Sequence, residues 1–297
     1  MSDRRPVATT AQWSARLAAP LLAGLLTTTH AGPLRFELQA ASEASYDTPH
    51  DIVLAPGGNA LYVADNGNHR IAVLDPVTLR QRGSFGQGEV REPHDVAFDR
   101  DGRLLVADTG NSRIAIYDVS SDGGRLVGEL RGPIRRPEGV AAHPDGRVFA
   151  TGAATGNLVV YRDGEVIGEV GGFSAPHDVA FDAEGRAWIA DAGNHRMVRV
   201  DERLQVDRVF GGETYTFAGP RYHDFDHAGR MFVADKYNHA IKVIDPDGTL
   251  LQVLGGERGL GEGRFYQPEG VEIRGDAVWF ADSYNDRIVR YRVTEAR

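Results

Sequence analysis

The 297-residue sequence has no cysteine. Disulfides, thiolate metal sites and a cysteine nucleophile are therefore excluded. Lysine is nearly absent: of 33 basic residues only Lys236 and Lys242 are lysines, which leaves Schiff-base chemistry almost without candidates. Long apolar runs are missing too. The stretch Leu17–Leu26 is too short to span a bilayer, and no later segment is apolar enough to cross one. No glycine-rich phosphate loop opens a helix, and no serine sits in a G-x-S-x-G elbow. Positive charge is in deficit. A net charge of -9 without a basic block argues against binding nucleic acid through its phosphates.

The first 31 residues differ from the rest. Arg4, Arg5 and Arg16 precede the apolar run, and small residues surround Ala31. Basic region, short apolar core and small-residue site follow the order of a secretory signal. An exported protein, periplasmic or extracellular, is expected, with residues 1–31 as the signal. The Arg4-Arg5 pair resembles a twin-arginine signal, although Pro6 and Val7 depart from its usual continuation.

What the chain has in quantity is glycine, 36 residues, and a repeat. Six segments open with "PHDIVL" at Pro49, "PHDVAF" at Pro93, "PEGVAA" at Pro137, "PHDVAF" at Pro176, "YHDFDH" at Tyr222 and "PEGVEI" at Pro268. Each leads through a turn to a second run of the type "LLVADTGNSRIAIYD", with a period of roughly 39 to 47 residues. Alternating apolar residues and Gly-containing turns predict four short strands per unit. Four strands at this period predict an all-β fold, a six-bladed β-propeller spanning residues 34–297. The last unit lacks a fourth strand. Leu34–Ala40 alternates correctly and has no unit of its own, so it is expected to close the ring as an N-terminal strand.

The recurring Asp65, Asp108, Asp191, Asp235 and Asp282, with the Asn and Arg that follow them, are expected to hold turns together. The opening positions differ: His50, His94, Glu138, His177, His223 and Glu269. First strands line the central channel, so equivalent positions in six blades form a ring at one mouth. Neutral imidazole is the commonest metal ligand and carboxylates complete such sites. These six residues are candidate ligands of a divalent ion, zinc first, with copper or iron as alternatives. The other reading is a polar ring lining a wet channel. Asp51, Asp95, Asp178 and Asp224 follow the histidines and would either orient the imidazoles or bond within the blades. The connections "GGETYTFAGPRYH" and "GGERGLGEGRFYQ" share the histidine face. A small-molecule or peptide ligand, or a protein partner, is expected there. The protein is expected to be a monomer.

"VADxxNxRIxVxD" following "P-x-x-V" resembles the NHL-repeat family over roughly Asp47 to Val293. Unit three departs, with Gly152, Thr155 and Asn157 at motif positions. The Pro-His-Asp openings resemble those of the peptidyl-hydroxyglycine amidating lyases, six-bladed propellers whose histidines hold zinc. The resemblance implies a metal-dependent lyase, with hydrolysis as a second choice. It also implies a tyrosine and an arginine beside the metal. Tyr237 and Tyr284 stand near the tyrosine's place, outside the family's register, and no arginine matches. A non-catalytic binding propeller is the alternative.

Overall fold

The computed structural model describes residues 33–296, so the expected signal at residues 1–31 lies outside the described residues. Six four-stranded antiparallel sheets follow one another along the chain and form the six blades expected. In blade two the strands are Pro93–Phe98, Leu104–Asp108, Arg113–Val119 and Gly124–Leu130. Burial grades outward. Leu104–Asp108 is buried throughout, whereas Gly124–Leu130 alternates between half-buried and exposed positions. A second strand packed on both faces reads as an unbroken apolar run, and an outer strand alternates.

The apolar core lies between blades, not on the axis. Tyr62 and Phe85 of blade one pack with Val96, Leu104 and Tyr117 of blade two in one buried cluster. Each blade covers a face of the next. The last blade takes its outer strand from the N-terminal side, where Leu34–Ala41 pairs antiparallel with Arg287–Glu295, Leu34 facing Glu295. The ring is closed by this strand, which removes two edges at once.

Within each blade a buried carboxylate ends the second strand. Asp65, Asp108, Asp191, Asp235 and Asp282 are all 0% exposed. Each accepts from the Asn three residues on, and four accept from the Arg five residues on. In blade five Ala240 replaces that arginine, and Lys242 pairs with Asp235 at 2.6 Å instead. Each carboxylate also accepts from the backbone N–H two residues before the opening proline of its own blade: Asp47, Arg91, Ser174, Ala218 and Tyr266, at 2.7–2.9 Å. Blade three has Gly152 at this place. There Asn157 donates to the Pro133 carbonyl and to Glu169, a network without the buried carboxylate.

Asp282→Ala would strand Arg287, Asn285 and the Tyr266 amide together. Removing one partner of such a buried pair costs about 3 kcal/mol or more. Urea unfolding of the variant should show a loss of that size, and a loss below about 0.5 kcal/mol would make the network dispensable.

Candidate functional site at the channel mouth

The six blade openings converge as expected, with one change of membership. The ring is His50, His94, Glu138, His177, Arg221 and Glu269, none more than 9% exposed. The fifth first strand is Pro220–Phe225, and Pro220 pairs with Asp235 as Pro176 pairs with Asp191. Tyr222-His223-Asp224 copies the Pro-His-Asp spelling two residues too late. His223 therefore does not stand in the ring but further along the channel, its Nδ1 2.7 Å from Asp178 Oδ2. Counting back from the Asp226–Gly229 hairpin, which matches Asp182–Gly185, places Arg221 at the opening.

The residue before each opening proline is left-handed: Thr48, Glu92, Arg136, Ala175, Gly219 and Gln267 have φ between 42° and 68°. Five of the six are not glycine, an uncommon conformation for them. This turn aims a carbonyl at the imidazole that follows. His50 Nδ1 lies 2.7 Å from the Thr48 carbonyl, His94 Nδ1 3.0 Å from that of Glu92, and His177 Nδ1 3.0 Å from that of Ala175. A carbonyl oxygen only accepts, so Nδ1 carries the proton in His50, whose neutral ring leaves Nε2 bare. The Asn66 amide also lies 3.1 Å from His94 Nδ1.

The Nε2 atoms face carboxylates. His177 Nε2 is 2.6 Å from Glu138 Oε2, His94 Nε2 is 3.9 Å from Glu138 Oε1, and His50 Nε2 is 3.4 Å from Glu269 Oε2. Two cations complete the set. Arg221 Nη1 contacts His177 Nε2, and Lys236 Nζ donates to Glu269 Oε1. Burial holds His94 down at about 3 and also lowers His50. Burial alone would raise Glu138, but His177, His94 and Arg221 outweigh it and hold the carboxyl at about 2. Glu269 is likewise lowered, because His50, Lys236 and Arg221 overcome its burial. Among the described residues no group of three His, Asp or Glu is already placed to ligate a metal ion.

Tyr237 and Tyr284 sit on the rim, 51% and 42% exposed. Arg221 Nη2 lies 3.4 Å from the Tyr237 hydroxyl, and Lys236 Nζ lies 5.0 Å from the Tyr284 ring centroid. Tyr266 meets Tyr284 edge-on and stacks on Arg258. The other aromatics of the long connections turn inward: Tyr215, Phe217, Tyr222 and Phe265 are buried. His69, His195 and His239 also have a structural part. Their Nδ1 atoms accept from the N–H groups of Glu92, Gly219 and Gln267, the left-handed residues of the next blade.

The aspartates after the histidines do not orient the imidazoles of the ring; Asp178 instead lies against His223. They reach for backbone N–H groups of the neighbouring first strand: Asp95 to Val140, Asp178 to His223 and Asp224 to Ile273. With Glu272 and Asp51 they line a cavity of about 450 Å3 that opens between the first hairpins, at the opposite end from the ring. Burial, reinforced by neighbouring carboxylates, raises Asp51 and pushes Asp95 to about 8 and Glu272 to about 8.

Model NHL repeats match residues 46–74, 91–117 and 173–199. A PE-PGRS family protein, PE_PGRS18 of Mycobacterium tuberculosis, is 40% identical over 47 residues, a match spanning 16% of this chain and 10% of that protein. Virginiamycin B lyase from Staphylococcus aureus aligns over 87% of this chain and 98% of its own, at 15% identity and a TM-score of 0.62. An auxiliary nutrient binding protein from Bacteroides ovatus aligns over 90% and 78%, at 16% identity and 0.68. A Bacteroides thetaiotaomicron protein of unknown function aligns over 89% and 76%, at 13% and 0.70. At these identities the likeness is one of fold.

Glu272 titrates between its ordinary 4.5 and about 8. Over that window the folded chain binds more protons than the unfolded one, so stability falls as pH rises. Melting temperatures at pH 5 and pH 8.5 should differ in that sense, and Glu272→Gln should narrow the gap. An unchanged gap would remove Glu272 from the account.

The chain carries NHL repeats on a six-bladed β-propeller closed by its N-terminal strand.

Proposed function

We propose that the ring holds a divalent metal ion, zinc in the first instance, through His50, His94 and His177 with Glu138 or Glu269. One observation carries the reading: the Nε2 atoms of His50, His94 and His177 face carboxylate oxygens. Glu269 Oε2 has no hydrogen-bond partner among the described residues. His50 Nε2 and Glu269 Oε2 are two acceptors 3.4 Å apart, a repulsive pair until a cation lies between them. Neutral imidazole nitrogen with carboxylate oxygen suits zinc, and copper or iron less specifically.

When bound, such an ion supplies Lewis acidity and acidifies a coordinated hydroxyl or water. The chain's own residues do the rest. Backbone carbonyls fix the tautomer of His50 and orient the ring of His177. Arg221, at the foot of the Tyr237 side chain, holds an anionic group of a ligand arriving over the rim. Tyr237 and Tyr284 stack on that ligand, a small molecule or a peptide, and Tyr237 is the nearer hydroxyl for proton transfer. Elimination at a hydroxylated carbon, as the resemblance to the amidating lyases implies, fits this set of groups. The basic and apolar start of the chain supports export.

A second reading has its own observation. Arg221 and Lys236 already stand against the His177–Glu138 and Glu269 groups. Under it the ring is a charge-balanced mouth, and the propeller binds a ligand or a protein without turnover.

Metal analysis by mass spectrometry of the untagged protein and of His94→Ala/His177→Ala separates the two. The metal reading expects close to one ion per chain, lost in a variant that still melts cooperatively. No metal after incubation with zinc, copper or iron would leave the binding scaffold.

A further inference from the structure

Among the described residues, His94 is the one ring histidine approached at Nδ1 by a side-chain amide. Asn66 directly follows the buried Asp65 of blade one. Its Nδ2 lies 3.1 Å from the Pro93 carbonyl and 3.1 Å from His94 Nδ1. The carbonyl can only accept, so it fixes which end of the amide faces this pair. One N–H goes to Pro93, and the second points at the imidazole. The equivalent residues of other blades have no second hydrogen to give. Thr109 and Ser283 donate their single hydroxyl proton to the carbonyls of Pro137 and Pro49. Blades three and four have Ala153 and Ala192 at this place, and in blade five Lys236 reaches Glu269 instead.

Two groups therefore compete at His94 Nδ1. The Glu92 carbonyl, 3.0 Å away, favours a proton there, and Asn66 favours a lone pair. Burial keeps the imidazole neutral, so only one of its nitrogens carries a proton. A proton on Nδ1 satisfies Glu92 alone. It sets the Asn66 N–H against another N–H and leaves a bare Nε2 3.9 Å from Oε1 of the ionised Glu138. A proton on Nε2 satisfies Asn66 and points a positive hydrogen at Glu138. Two favourable contacts outweigh one of similar kind.

We infer that Asn66 is a positioning residue that holds His94 of the metal-free ring in the tautomer opposite to that of His50, with its proton on Nε2. The consequence for an ion rests on the metal reading of the ring; the tautomer does not. Coordination by His94 needs Nε2 bare. The proton must first move from Nε2 to Nδ1 by exchange with solvent, where it is donated to the Glu92 carbonyl, and no net proton is released. Asn66 thus opposes recruitment of His94 to the ion, and the Glu92 carbonyl favours it.

Long-range proton–nitrogen NMR of the untagged, chelator-treated protein reads the tautomer of each imidazole, with His50→Gln and His94→Gln to assign the signals. The proton is expected on Nε2 of His94 and on Nδ1 of His50. Asn66→Ser is the informative variant, because serine keeps the bond to the proline carbonyl, as Ser283 does, and has no hydrogen left for the imidazole. Asn66→Thr, copying Thr109, is its companion. Both should melt like the parent, move the His94 proton to Nδ1 and bind zinc about fivefold more tightly, the worth of one neutral hydrogen bond. A metal-free parent with the His94 proton on Nδ1 would overturn the inference, and so would a tautomer left unchanged by both substitutions. Equal zinc affinities in parent and variants would overturn the coupling to metal. If none of them binds zinc, the metal reading falls, and the tautomers, read without metal, still decide the role of Asn66.

Discussion

The left-handed residue before each opening proline is the constraint from which the rest of the channel follows. For a non-glycine residue that conformation costs on the order of 1–3 kcal/mol and persists only where its surroundings impose it. Here they do so from two sides. The N–H of the residue before it donates to the buried aspartate of its own blade in five blades. Its own N–H donates to a loop side chain of the preceding blade: Asp286 to Thr48, His69 to Glu92, Ser112 to Arg136, His195 to Gly219 and His239 to Gln267 act as acceptors. The carbonyl released by that turn is the one on which His50, His94 and His177 rest. A motif that looks like packing is thus the device that orients each of these imidazoles.

The two ends of the channel use carboxylates in opposite ways. At the ring, the neighbouring histidines, with Arg221 and Lys236, offset the burial of Glu138 and Glu269, and both stay ionised. At the other end five acidic side chains meet only His223 and, at 3.5 Å from Glu272, Arg274. Burial then dominates, and the carboxyls hold protons that their exposed counterparts would lose. Similar depth in the protein gives opposite shifts, because cations are present at one end and scarce at the other.

Much of this was legible in the sequence. Repeats in register predict the blades, and the unpaired segment Leu34–Ala40 predicts the closing strand. Five of the six ring residues follow from alignment of the openings. Blade five was misplaced because a local tripeptide, Tyr-His-Asp, outweighed the hairpin that fixes register. A two-residue offset leaves alternation intact, so periodicity alone gives no warning. The direction of side chains was less legible. Loop histidines look solvated until the next blade's N–H groups are in place, and Tyr215, Phe217 and Phe265 look like a ligand platform until the long connections fold back. Both depend on contacts between blades, which no single repeat encodes.

Blade five is where the symmetry breaks, and the break is concerted. It alone has Arg and Tyr in place of His-Asp or Glu-Gly, and it carries both lysines. Tyr222 is 1% exposed, and its hydroxyl donates across the channel to the Glu138 carbonyl at 2.9 Å. Burial raises its hydroxyl well above the ordinary value, and so do Asp95 and Asp51 from one tier and Glu269 and Glu138 from the other. A side chain that feels both sets of carboxylates stands between them. Tyr222 therefore acts as a partition, with the His-Glu-Arg ring on one side and the acidic cavity on the other. Repetition builds a continuous channel, and one residue in one blade crosses it between the two tiers.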